Sequence, residues 1–281
     1  MDSELELLEL EAEALKLKLM LLKLEPGLPA LEYPERQGDV SKEQLKKTFG
    51  LRSIKVSTDL SDGDVQDLMN ISYDTFRHLA MVIEQPMTAV GLGGNLALNI
   101  GIHQMNRNTG GCYSPDIISL QFKTNDDFRH IAHEWLHAFD HYLWYTFGET
   151  KKVSQNRYSL MSERNLWQTD SAVKKCLWDL LVKVYESNYY QRSKATAQLA
   201  ADDYWISNPE LLARAFEIYA VERMTQLNIV DSRLVSLFAN NPYPFFKKSA
   251  DKPIQDSFEK LWKALKMKDN NYEIKSLGIN V

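Results

Sequence analysis

HIAHEWLHAFDH, residues 130–141, holds four of the chain's six histidines. The residues around it favour a helix. Thr124 or Asn125 can cap its start, Asp126 and Asp127 suit the positive end of the helix dipole, and Gly148 stops it beyond Tyr145. At about 100° per residue, His133 and His137 stand roughly 40° apart on one stripe, which His130 and His141 extend. Asp140 lies about 20° to the other side of that stripe, and Glu134 sits at its flank, about 100° from His133.

HEWLH therefore reads as HExxH. Two imidazoles one turn apart can bind one Zn2+ through ring nitrogens. The glutamate between them reaches beside the ion, where it can take a proton from water that the metal has made more acidic. Zincin peptidases hydrolyse peptide bonds with this arrangement. The competing reading is a helix whose imidazoles are simply packed or solvated. The capped helix favours the metal, and so does the strand pattern DIISLQF just before it, in the position of the substrate-side edge strand of zincins.

A catalytic site needs a third protein ligand and one open position. His141 follows one turn after His137, but three ligands in a row on one helix do not converge on a tetrahedral ion. Asp140 is better placed as an acceptor for the outer N–H of a ligand imidazole. In ELLARAFEIYAVE, Glu217 stands on a face of mostly small and apolar residues, where a carboxylate is costly to bury without a cation. Arg214, one turn back, could supply that cation in a structural ion pair; the alternative is the metal. We take the metal, giving His133, His137 and Glu217, with Glu222 as the fallback. Tyr219, Tyr204, Arg214, His141 and His103 could each donate to the oxyanion formed as water attacks.

The rest of the chain frames this site. Residues 1–25 contain leucines at 3-4-3-4-3 spacing, with glutamates first and lysines after, an amphipathic, coiled-coil-like helix that suits its own dipole. Self-association or partner docking through residues 2–25 stands as one expectation from it, and folding back on its own domain as the equal alternative. PGLPALEYPERQGD within 26–44 reads as a linker, and 45–281 as the main domain. Strands are expected around Arg52–Val56, Leu96–His103 and Asp116–Phe122, and a helix over DGDVQDLMNISYDTFRHLAMVIEQP in which His78 is an ordinary packed or exposed histidine. GLGG lacks the residues of a phosphate loop and reads as a turn into a strand. Val173, Leu177, Leu180, Leu181 and Val184 share one face of a helix, SNPELLARAFE opens with a capping box from Ser207 to Glu210, and SFEKLWKALK is amphipathic. The fold class is α+β and helix-dominated, with a small antiparallel edge sheet.

Composition narrows the function classes. The 281 residues are 44% hydrophobic and 25% charged, with net charge −5, and form an ordinary globular chain. That charge speaks against a nucleic-acid-coating surface; Lys46, Lys47, Lys247 and Lys248 are thin clusters. Cys112 and Cys176 have no metal spacing and read as reduced thiols in a cytoplasmic protein. The N-terminus lacks a signal-peptide pattern, and no apolar run is long enough to span a membrane.

The succession GLGG, GCYSPDIISL, IAHEWLHAFDHYL, YWISNPELLARAFEIYA and NPYP resembles the first large polyvalent protein-associated domain, found in phage and conjugative-element proteins. The resemblance spans roughly residues 45–268. That family typically has glycine where Leu136 stands, often leucine where Phe139 stands, and often AHYEP where this chain has GCYSP. These departures spare His133, Glu134, His137 and Glu217. The resemblance implies a zincin-like fold, zinc peptidase activity on a protein or peptide, and delivery into a host cell with mobile-element DNA to act against host defences. Two other functions compete: a zinc-stabilised or metal-free binding module that recruits a partner through the N-terminal helix, and a non-catalytic antirestriction protein. Glu134 separates them from hydrolysis, because a structural zinc needs no carboxylate at that flank.

Overall fold

The computed structural model describes residues 31–101, 112–114, 119–122, 130–147, 159–162, 171–235 and 252–266. The chain divides into two compact units, Met1–Glu32 and Tyr33–Val281. The leucine-rich segment 1–25, expected to be helical, lies outside the described residues, as do His103, Thr124, Asn125, Gly148 and NPYPFF. In the second unit the elements are α1 (Lys42–Phe49), β1 (Ser53–Val56), α2 (Asp62–Val82), β2 (Ala97–Ile100), β3 (Cys112–Ser114), β4 (Ser119–Phe122), α3 (Ile131–Phe147), α4 (Ala172–Tyr185), α5 (Asn188–Ala200), α6 (Asn208–Gln226) and α7 (Lys252–Lys266). The class is α+β and helix-dominated. No helix among the described residues is long and apolar enough to cross a membrane.

The second unit begins at Tyr33, inside the stretch expected to be a linker. Residues 33–40 are tied along α2. Arg77 donates to the Tyr33 carbonyl at 2.8 Å, the Tyr73 hydroxyl to the Pro34 carbonyl at 3.1 Å, and Arg36 pairs with Asp74 at 2.9 Å. Val40 is 1% exposed and donates its N–H to Asn70. The proline-rich composition that suggests a tether here serves an extended strap whose backbone polar groups are satisfied by side chains.

The sheet runs β1-β2-β4-β3, and its character departs from expectation. Both β1–β2 and β2–β4 are parallel; only β3–β4 is antiparallel. The reason is the connection between β1 and β2. It contains the whole of α2, and a helical crossover returns the chain to the same end of the sheet. β4, the strand preceding the HEWLH helix, is interior; the edge strand is β3, in a stretch that reads as loop from sequence. GLGG does form a turn. Leu92, Gly93 and Gly94 all have positive φ, and Gly91 lies where a Cβ would stand 2.2 Å from the Gly50 carbonyl oxygen.

α3 is buried on both sides. One side carries Trp135 and Phe139, stacked at 5.3 Å, into an aromatic core with Phe216 of α6 and Phe258 and Trp262 of α7. Trp135 is 1% exposed, and its indole N–H donates to the Val90 carbonyl, so the polar handle of a buried tryptophan is satisfied. The opposite stripe carries the histidines. α4 buries Val173, Leu177, Leu180, Leu181 and Val184, the face expected from its spacing. α3 and α6 are thus locked through apolar packing on one flank, which leaves their polar stripes to meet on the other.

Candidate metal centre

On α3, His133 and His137 bring their Nε2 atoms within 3.2 Å of one another. α6 supplies the facing carboxylates. Glu210 places Oε2 3.3 Å from His133 Nε2 and Oε1 3.2 Å from His137 Nε2. Glu217 approaches the other ring nitrogen, His133 Nδ1, at 3.3 Å. The four side chains therefore form one network with two distinct carboxylate positions. Glu210 faces the nitrogens that converge; Glu217 faces the nitrogen that points away from them.

This revises the ligand set expected from sequence. His133, His137 and Glu210 group as three donors within 4.8 Å of one another. Glu217, expected as the third ligand, instead accepts from His133 Nδ1. When the ring is neutral, donation from Nδ1 leaves the Nε2 lone pair for the cluster, so Glu217 is placed to fix tautomer and orientation. Glu222 lies about three turns beyond Glu210 on α6 and bears on Lys252. The expected capping box hid Glu210. Ser207 makes no side-chain cap; its hydroxyl donates to the Tyr204 carbonyl at 3.1 Å, and Glu210 is freed to reach the histidines. The signal was present as a stripe: Glu210, Arg214 and Glu217 recur at i, i+4 and i+7 on one helix face.

The electrostatics follow from this geometry. Burial opposes a charge on His133, but Glu217 and Glu210 outweigh it, and the ring holds its proton well above the ordinary imidazole range. Burial would raise the Glu210 carboxyl, yet His133 and His137 hold it well below the usual carboxylate range. Glu134 is half-buried and adds its field at His133, as expected of a carboxylate flanking the pair. Arg214 is 2% exposed, its Nη1 3.7 Å from Glu210 Oε2 and its Nη2 donating to the Trp205 carbonyl at 2.8 Å.

The remaining candidates separate. Asp140 does not accept from a ligand imidazole. Its carboxylate binds the turn at 159–161, taking the Met161 N–H at 2.9 Å with further bonds from Ser159 and Leu160. Met161 in turn accepts from Asn208 at the start of α6, two residues before Glu210, so Asp140 braces that carboxylate from a distance. His141 stacks on Tyr145 at 4.8 Å, and burial pushes its pKa down to about 4. Tyr219 is turned into the aromatic core, 5.1 Å from Phe258, and burial raises its phenol. Of the oxyanion-donor candidates, Arg214 adjoins the ligand cluster, with the Tyr204 ring over its guanidinium at 5.5 Å. His78 meets Asp231 at 2.8 Å, a packed histidine as its context suggested.

A sequence model of the family described as large polyvalent protein-associated domain 1 matches residues 196–269. The matched stretch includes Glu210, Arg214 and Glu217 and excludes HEWLH, so it covers only the C-terminal part of the resemblance read from sequence. No curated protein and no solved structure matches the chain.

Proposed function

We propose that this chain is a metal-dependent peptidase whose ion is held by His133, His137 and Glu210, with Zn2+ the metal that the donor set suits best. One observation carries the reading: His133 Nε2 and His137 Nε2 stand 3.2 Å apart on one helix, and each meets a different oxygen of Glu210 from a second helix, Oε2 at 3.3 Å and Oε1 at 3.2 Å. Bonds of about 2.0–2.1 Å from a tetrahedral centre put ligand atoms about 3.4 Å apart. Charge supports it. With the histidines neutral, Glu210 and Glu217 bring two carboxylates to the imidazole pair, a charge that suits a divalent cation.

A bound zinc ion supplies Lewis acidity and brings the pKa of water toward neutral. The protein's own residues do the rest. Glu210 contributes one carboxylate, so three protein ligands leave a position open for chemistry. Glu134 accepts a proton at its carboxylate and returns it to the leaving amine. Glu217 keeps His133 in the tautomer that presents Nε2. The substrate in this reading is a protein or peptide, and the family match supports a mobile-element setting.

The test is zinc per chain, by plasma mass spectrometry, on the wild type, Glu210→Gln and Glu217→Gln. The expected outcome is about one zinc in the wild type, loss in Glu210→Gln, and retention with roughly 10–100-fold weaker affinity in Glu217→Gln. Loss only in Glu217→Gln would return the third-ligand role to Glu217. A wild type that takes up no zinc would end the peptidase reading.

A further inference from the structure

From the contacts of Arg214 we infer that this residue is a positioning residue that holds Glu210 to one oxygen, so that the carboxylate offers Oε1 to the metal site and cannot close on it with both. The inference rests on the metal reading above. Glu210 spans the two histidines with both of its oxygens, Oε1 toward His137 and Oε2 toward His133. A carboxylate so placed is free to chelate, and chelation would consume the position that hydrolysis needs. Arg214 approaches Glu210 at Oε2, 3.7 Å from Nη1. That distance is Coulombic attraction rather than a hydrogen bond.

The guanidinium cannot turn elsewhere. Nη2 is tied to the Trp205 carbonyl, and the rings of Tyr204 and Trp205 lie 5.5 and 4.9 Å from its carbon. The Tyr189 hydroxyl, which donates to the Leu211 carbonyl at 2.8 Å, lies within the field of Arg214. Its Nε and Nη1 are buried without a hydrogen-bond acceptor. A desolvated cation with unspent donors needs a nearby anion, and Glu210 Oε2 is the one its neighbour on the same helix face supplies. The i, i+4 spacing is what brings the two together.

Removing the charge therefore frees Oε2. Arg214→Met keeps much of the volume; Arg214→Gln keeps a donor for the Trp205 carbonyl and serves if the methionine variant fails to fold. Arg214→Lys restores the charge. Each full-length protein is titrated with Co2+, and both affinity and visible absorption are read, since added ligands weaken the absorption of low-coordinate Co2+. The expected result is weaker bands with tighter binding in the neutral variants, through loss of a repelling charge and gain of an oxygen, and wild-type bands in Arg214→Lys. Neutral variants with wild-type bands and affinity, or with weaker binding, would overturn the inference while leaving the metal site intact. A wild type that binds no Co2+ would overturn the metal reading and this inference with it.

Discussion

Asp140→Asn is expected to remove a pH dependence of stability that runs opposite to the usual carboxylate behaviour. The Asp140 side chain is 2% exposed. Burial raises its pKa from 3.8 to about 6, although bonds from Ser159, Met161 and Leu160 and the field of His137 all pull it down; desolvation wins. A folded-state pKa above the unfolded value means that the folded chain binds the extra proton. The stabilisation is fully present below about pH 4 and is lost as pH rises through about 6. The shift of about two units corresponds to about 3 kcal/mol. Asparagine has no proton to lose, so its variant lacks this slope. Urea unfolding of both proteins from pH 4 to 7.5, with a chelator present so that metal release does not contribute, isolates the effect as a difference. The wild-type advantage is expected to shrink by about 3 kcal/mol across that range. A difference that is flat, or that grows with pH, would mean that the three donors outweigh desolvation, and the reasoning would fail.

Glu134→Gln is expected to keep about one zinc per chain and lose at least about 100-fold in peptide hydrolysis, since general-base catalysis contributes at that level; full activity with bound metal, followed on a labelled protein digest, would remove Glu134 from its role. Gly91→Ala sets a Cβ 2.2 Å from the Gly50 carbonyl oxygen and 2.3 Å from that of Phe49. Neither backbone atom can swing aside, so a loss of about 3 kcal/mol, the upper end of the usual overpacking cost, is expected in chemical denaturation, and a wild-type midpoint would contradict the close approach. Deleting residues 2–25 is expected to lower the mass seen by light scattering to that of one protomer; an unchanged multiple would assign self-association elsewhere.

Periodicity and composition determined much of this protein without coordinates. The buried face of α4, the α+β class, three of the four strands and the pairing of His133 with His137 on one stripe all follow from spacing, because side-chain direction within one element is set by the local backbone. What failed depended on distance in space. The parallel sheet follows from α2 acting as a crossover, which strand patterns alone do not report. Residues 33–40 look like a tether in composition, but their hydrogen-bond partners lie some forty positions away on α2. Glu210 and Glu217 stand two turns apart on one helix, equally acidic in the sequence. Only the packing of α6 against α3 decided that one carboxylate meets the converging Nε2 atoms and the other meets Nδ1. Which side of an imidazole a carboxylate reaches is a matter of a few ångströms between two helices, and that separation is set by the aromatic core on their far side.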